Sequence, residues 1–165
     1  MASAGSSRNA WLRLDDAALL RQCREERYRA SGPGGQRRNK VETAVRLHHG
    51  ASGLMAQAQE TRSTQENRLR ALRRLRERIA LELRAPFDLK SPALPPELAA
   101  QRADGRLSIN RRNARYPIVL ATALDALAAA DGSYAQAARA LGITTSQLLR
   151  FLRGDPEAWR SISEG

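Results

Sequence analysis

The sequence predicts an α+β fold: a small antiparallel sheet with a long basic covering helix, followed by a small all-α unit of helix-turn-helix type. Three observations carry that reading. Val45 and Leu47 alternate with Arg46 and His48, and beyond Gly50 to Gly53 the residues Leu54, Ala56 and Ala58 alternate back, the pattern of a hairpin with one buried face. Ser63 and Glu66 stand at capping-box spacing, and behind them Leu69, Leu72, Leu75, Ile79 and Leu83 recur at three- and four-residue steps, predicting a helix to about Arg84. From Pro117 onward, short apolar runs open on capping residues and close on glycine, as in a bundle of short helices.

The elements follow in order. The first ten residues, MASAGSSRNA, are small, polar and free of acid, a composition shared with organelle transit peptides. Asp15 and Asp16 arrive before a long amphipathic helix can form, so residues 1–13 are expected to be a disordered tail. Asp15 or Asp16 then caps a short helix from Ala17 to about Cys23, with Ala18, Leu19 and Cys23 on one face. Residues 25–30 are expected as a strand ending at Ser31–Gly35, where Pro33 fixes φ and Gly34 and Gly35 permit backbone angles closed to other residues. With the hairpin and the long helix, this makes a first domain over residues 14–84. Residues 85–114 hold four prolines and no sustained period, and are expected as a linker with one short helix from Glu97 to Arg102. Over residues 115–165, Pro117 starts a helix ended by Asp131 and Gly132, Ser133 caps a second, Thr144 or Thr145 caps a third, and Asp155 to Glu157 opens a last turn bearing Trp159.

Composition narrows the partners. The chain carries 28 basic and 17 acidic residues, a formal charge of +11, and Lys40 and Lys90 are its only lysines. An arginine-dominated excess suits phosphate, because the planar guanidinium binds it at two points and stacks on bases. Residues 1–90 hold nineteen of the basic and ten of the acidic residues. Arg68, Arg70, Arg73, Arg74, Arg76 and Arg78 flank the long helix and are read as a phosphate-facing strip, against the alternative of a merely solvated face. One cysteine, Cys23, builds no disulfide framework, and with His48 and His49 it cannot complete a zinc site, so no metal and no cofactor is expected. The two histidines project to opposite faces of a strand, one packed and one wet. No apolar run approaches a membrane span, and a cytoplasmic monomer without a membrane partner is expected.

The segment RASGPGGQRRNK, residues 29–40, holds three glycines, one proline, one glutamine and four basic residues, with no carboxylate and no histidine. The run Ser31 to Gln36, then Asn39-Lys40, then Thr43 to Leu47, a hairpin, and Gln59, Glu60, Arg62 and Ser63 leading into a basic helix resembles the catalytic GGQ domain of class I peptide chain release factors and their ribosome-rescue relatives. The likeness covers residues 14 to about 84; a bare GGQ would be weak, but the extended pattern in order on the predicted elements is specific.

The resemblance implies that this loop enters the ribosomal peptidyl transferase centre and promotes hydrolysis of the peptidyl-tRNA ester. Gly34, Gly35 and Gln36 would then be catalytic, with Arg37, Arg38, Asn39, Lys40, Arg68, Arg73 and Arg74 on large-subunit ribosomal RNA. Water attack on an ester needs a donor where negative charge develops and a positioned nucleophile, and usually a titratable base. The loop has no base: Arg37, Arg38 and Lys40 are protonated at neutral pH and Glu42 lies beyond the turn, so proton removal falls to the substrate, a ribose hydroxyl, or to solvent. Gly34 and Gly35 let the backbone approach the terminal adenosine, the Gln36 main-chain N–H faces the developing oxyanion or leaving oxygen, and its side-chain amide orders the attacking water. Family members often read His-Val-Asn-Lys after the glutamine, whereas here Arg37 and Arg38 precede Asn39 and Lys40, adding phosphate affinity.

The stretch GSYAQAARALGITTSQLLRFLR resembles a bacterial-regulator helix-turn-helix with Ala137, Ala138, Leu141, Ile143, Leu148 and Leu152 as its core. Gln147, Arg150 and Arg153 on its second helix suffice for backbone contacts and are thin for base reading, so a docking module is expected, with DNA reading the alternative. A stop-codon reader needs a further domain for which 165 residues leave no room, and the chain ends in a nearly neutral folded unit rather than the lysine-rich tail of many rescue relatives. The expectation is a codon-independent peptidyl-tRNA hydrolysis factor acting on stalled ribosomes; the alternative is an RNA- or DNA-binding regulator with a non-catalytic GGQ-type RNA clamp.

Overall fold

The computed structural model describes residues 4–29 and 42–165, the first three of these by backbone alone. Helix α1 covers Ala4–Arg13 and α2 Asp16–Arg21; strands β1 (Cys23–Tyr28), β2 (Ala44–His49) and β3 (Leu54–Ala58) follow, then helix α3 (Thr64–Glu82). Next come α4 (Pro96–Ala99), β4 (Arg102–Ala103), β5 (Arg106–Leu107), α5 (Tyr116–Ala129), α6 (Tyr134–Leu141), α7 (Thr145–Arg153) and α8 (Pro156–Ser163). The fold is α+β, and the chain divides into two units: Leu14–Ile79, and Met1–Arg13 together with Ala80–Gly165.

In the sheet unit β1, β2 and β3 form an antiparallel meander in that order. Period-2 alternation puts Val45, Leu47 and His49 of β2 on the buried face, with Ala56 and Ala58 opposite on β3. Leu72, Leu75 and Ile79 of α3 and Leu19 of α2 complete the core, each fully buried side chain contributing about 1.5–3 kcal/mol. The Asp15 carboxylate accepts the Ala18 N–H at 2.7 Å and starts α2; the Ser63 hydroxyl accepts the Glu66 N–H at 3.2 Å and starts α3. The expected leucine stripe is corrected at both ends: Leu69 is 38% exposed, Leu83 lies half-buried beyond the helix, and the buried line runs Asn67, Ala71, Leu75, Ile79. At its amino end the helix faces main-chain oxygens rather than apolar sheet, so the residue buried there is an asparagine.

In the second unit α5 is the central helix, buried continuously from Ile118 to Leu127. It stops where Asp131 and Gly132 take positive φ and the Gly132 N–H reaches back to the Leu127 oxygen at 3.0 Å. Ser133, Thr144 and Asp155 cap α6, α7 and α8, and Ala137, Ala138, Leu141, Ile143, Leu148 and Leu152 form the apolar centre of the α6–α7 pair. Two expectations are corrected here. Residues 4–13 are not a tail but helix α1, anchored by buried Arg8 and Leu12 one turn apart. Residues 85–114 are not a free linker: they carry α4 and the β4–β5 hairpin, with Leu98 and Leu107 buried. The hairpin turns on Asp104 and Gly105, both at positive φ as a type I′ turn requires.

That hairpin straps the helix-turn-helix. Arg102 donates to the Leu141 oxygen at 2.9 Å, the Thr144 N–H to the Gly105 oxygen at 2.9 Å, and the Leu107 N–H to the Gln147 side-chain oxygen at 3.4 Å. The start of α7, which in a DNA reader enters the major groove, is therefore engaged inside the protein. No described helix is long and apolar enough to cross a membrane.

Candidate functional site

The β1–β2 register ends at the pair Tyr28 and Ala44, so both ends of the connection 29–43 are held about one strand spacing apart. Gly34, Gly35, Gln36, Arg37, Arg38, Asn39 and Lys40 lie within this connection and outside the described residues. At its described ends Arg29 Nε lies 3.8 Å from Glu42 Oε1, and the Thr43 hydroxyl donates to the Thr61 oxygen at 3.4 Å.

The return into the sheet is fixed by Asn67, which the sequence reading did not single out. Its side-chain nitrogen donates to the main-chain oxygens of Thr43 at 2.8 Å and Thr61 at 2.9 Å, and its oxygen accepts the Thr61 N–H at 3.1 Å and the Thr61 hydroxyl at 3.0 Å. All four hydrogen-bonding positions of a fully buried amide are used. The sequence signal for it is a polar residue on the helix face that otherwise carries Ala71, Leu75 and Ile79.

The helix arginines divide by partner. Arg68 holds Glu25 of β1 as a fork, Nε to Oε2 and Nη2 to Oε1 both at 2.9 Å, and that hydrogen-bonded guanidinium keeps the Glu25 carboxyl below its usual range. Arg74 pairs with Glu60 and donates to the Gln57 oxygen of β3 at 2.7 Å, while Arg78 reaches the Met55 oxygen at 2.5 Å. Arg76 meets Asp16 at 3.0 Å. Arg68 and Arg74 thus tie the helix to the two edges of the sheet; of the three helix residues expected at RNA, Arg73 is exposed and has no partner among the described residues.

The open face of the sheet carries a compact polar set. Glu26 accepts from His48 at 3.1 Å and from Arg46 at 3.2 Å, and these partners, His48 first, hold its carboxyl below the ordinary range. The Arg46 guanidinium lies 4.5 Å from the Tyr28 ring centroid. On the opposite face His49 is buried, with Nε2 2.9 Å from the Gln22 side-chain oxygen and Nδ1 2.7 Å from the Ser52 hydroxyl, and burial pushes its pKa down. The expected packed and wet histidines are therefore His49 and His48. Burial raises the Cys23 thiol, and among the described residues no group of three His, Cys, Asp or Glu could hold a metal ion.

Fold and site together define an α+β domain in which two paired strands are joined through a glycine-rich basic stretch of sequence, and the return into the second strand is clamped by the covering helix. Residues 19–116 match the RF-1 domain family, and the chain belongs to that family. It is 43% identical over 82 residues, half of this chain, to peptide chain release factor 1 of Chloroherpeton thalassium, and 38% identical over 90 residues, 54% of this chain, to that of Granulibacter bethesdensis. Peptide chain release factor 2 of Sulfurimonas denitrificans is 44% identical over 59 residues, 36% of this chain. The chain spans 20%, 25% and 16% of these relatives' own lengths. No solved structure matches it.

Proposed function

We propose that this protein promotes hydrolysis of the ester joining a nascent peptide to tRNA, in the peptidyl transferase centre of the large ribosomal subunit and without reading a stop codon. The carrying observation is the position of Gly34, Gly35 and Gln36: inside the segment matched to the RF-1 domain, between the last pair of an antiparallel ladder and a return held by Asn67. A catalytic group brought to a substrate site works by geometry, and anchoring both ends of its segment limits the entropy lost on docking.

The proposed division of labour follows the residue chemistry. The Gln36 main-chain N–H meets developing negative charge and its side-chain amide positions water, while the substrate's surroundings supply acid and base. Arg37, Arg38, Asn39, Lys40 and Arg73 contact ribosomal RNA phosphates; Arg68 and Arg74, already paired with Glu25 and Glu60, act through the placement of the helix. Peptidyl-tRNA and the cytoplasmic ribosome are the partners.

The test uses purified ribosomes carrying labelled peptidyl-tRNA, with a stop codon, a sense codon or no mRNA in the decoding site. Rescue predicts peptide release with the sense codon or with no mRNA, abolished by Gln36→Pro. Release confined to the stop codon would overturn codon independence, and tight ribosome binding with no release in any state would leave the GGQ unit a non-catalytic RNA clamp.

A further inference from the structure

The second unit contains a cleft the release chemistry does not use. It has a volume of about 740 Å³, within the roughly 300–1,000 Å³ of ordinary ligand sites, and lies between the β5 end of the hairpin strap and helix α7. Three guanidinium groups line it from three separate places: Arg106 on β5, Arg111 on the segment leading to α5, and Arg150 on α7. No carboxylate is among its lining residues. Asp155 stands behind the cleft, 2% exposed, where it accepts the Tyr116 hydroxyl at 2.8 Å and the Ala158 N–H at 3.1 Å and lies 3.7 Å from Arg111. The side chains of Arg106 and Arg150 are exposed and make no hydrogen bond or ion pair among the described residues.

An aromatic side chain lies between the charges. Phe151 lines the cleft half-buried and packs against the Tyr116 ring with centroids 5.6 Å apart, and Tyr116 is fixed by its bond to Asp155. Gln147 spends its oxygen on the Leu107 N–H, which leaves its amide hydrogens to donate, and Ser108 adds a hydroxyl. Guanidinium groups spaced around a fixed aromatic surface, with amide and hydroxyl donors beside it, are the means by which proteins hold a single-stranded nucleic acid: phosphates on arginine, a base against the ring. An acidic peptide would use the cations and leave the ring without a role. A DNA duplex needs the start of α7, which the Gly105 and Leu107 contacts occupy.

We propose that this cleft is a second nucleic-acid site, taking a single-stranded RNA segment with phosphates on Arg106, Arg111 and Arg150 and one base on Phe151. The inference stands on the second unit alone. Its test measures no peptide release, so its failure is distinct from failure of the hydrolysis reading.

The experiment is fluorescence anisotropy of the full chain with a labelled twelve-nucleotide single-stranded RNA across a salt series. Arg106→Gln/Arg150→Gln is compared with the charge-matched pair Arg139→Gln/Arg160→Gln, which alters exposed arginines of the same unit outside the cleft lining. Each lost phosphate contact lowers the salt slope by about 0.7 for a single strand, so the cleft pair should lose about 1.4 in slope and bind roughly 20-fold more weakly at 0.1 M salt. The control pair should leave the cleft contacts intact and show a clearly smaller change. Thermal unfolding of both pairs checks that each remains folded, as expected where the removed groups bond to nothing described. Equal effects of the two pairs would overturn the proposal. So would stronger competition by a polyglutamate peptide than by unlabelled RNA, or tighter binding of a DNA duplex of the same length.

Discussion

The side-chain amide of Asn67 and the main-chain oxygen of Thr43 lie 2.8 Å apart, joining the first turns of the covering helix to the point where the GGQ-bearing segment re-enters the sheet. Replacing Asn67 by Leu keeps the branched outline and leaves the Thr43 oxygen and the Thr61 N–H without their partner, while the Thr61 oxygen keeps only the Thr43 hydroxyl. Each orphaned buried group costs about 1–3 kcal/mol, so the two together predict a loss of about 2–6 kcal/mol in urea unfolding. If the asparagine also positions the GGQ-bearing segment, the folded fraction of Asn67→Leu should release peptide more slowly at saturating protein, while its affinity for ribosomes changes little. A release rate that falls only in proportion to the folded fraction would assign Asn67 to stability alone.

Arg8 and Asp125 form a two-point ion pair, Nη1 to Oδ1 and Nη2 to Oδ2 both at 2.8 Å, with side chains 1% and 4% exposed. Arg84 also reaches this carboxylate at 3.2 Å, and burial, opposed by Asp125 and reinforced by Arg8, pushes the Arg84 guanidinium down to about 10. One buried carboxylate therefore serves two cations, the buried Arg8 and the half-buried Arg84. Asp125→Ala strands both and should cost about 3–5 kcal/mol, whereas Arg8→Met leaves the Arg84 pair in place and should cost clearly less. Denaturant midpoints of the two variants give the comparison, and equal losses would contradict a shared carboxylate.

Gly142 turns between α6 and α7 at φ +74°, and a Cβ there would stand 2.2 Å from Arg102 Nη1. Gly142→Ala therefore meets both a left-handed backbone and a crowded guanidinium, and about 1–3 kcal/mol of destabilisation is expected. Arg102→Ala on its own loses the bond to the Leu141 oxygen, but it also clears the space for the new methyl. The double variant should be more stable than the sum of the single losses predicts, by about 0.5 kcal/mol or more. Strict additivity in a double-mutant cycle would mean that the strap yields without cost.

How much of this was readable in advance depended on where the cause of each element lies. Caps are local chemistry, and Asp15, Ser63, Ser133, Thr144 and Asp155 each accept a hydrogen bond from the N–H three residues on, where the sequence placed a helix start. The β2 and β3 faces follow from alternation alone. Helix α1 was not readable because its anchor, Arg8, is explained by Asp125 and the Leu83 oxygen, 117 and 75 positions away, and a buried arginine in a polar stretch looks like any solvated one. The β4–β5 hairpin had a local signal in Asp104-Gly105, outweighed by the prolines around it and by strands of only two residues each. Asn67 and the Arg106, Arg111 and Arg150 set share that difficulty: their spacing in the chain bears no relation to their meeting in space.

Stability between about pH 6.5 and 5 should report on His49. Burial favours the neutral ring, so its folded pKa lies below the unfolded value of about 6.5. As pH falls below 6.5 the unfolded chain takes up the proton while the folded one resists. Stability is therefore fully present above 6.5 and declines as pH drops toward the folded pKa. The depressed carboxyls of Glu25, Glu26, Glu60 and Glu97 add their own losses only below their ordinary range near 4.5. His49→Gln should be less stable at pH 7.5 and show a flatter stability profile from 6.5 to 5; an unchanged slope would place the titration elsewhere.

The sharpest prediction concerns the two amides of Gln36. A main-chain donor aimed at developing charge is worth about 10²–10³ in rate when removed, and proline is the residue that removes it. Gln36→Pro should therefore lower peptide release on ribosomes by at least about 100-fold. Gln36→Ala keeps the N–H and loses the side-chain amide proposed to order water, so its loss should be smaller. Gly34→Ala and Gly35→Ala should also be severe, through a Cβ where the backbone must approach the tRNA end, and their defect should persist at saturating protein because misplacement is not cured by occupancy. Single-turnover release with each variant in excess separates these cases. If Gln36→Pro matched the parent while Gln36→Ala were inactive, the side chain alone would carry the chemistry, and the main-chain donor would have no part in it.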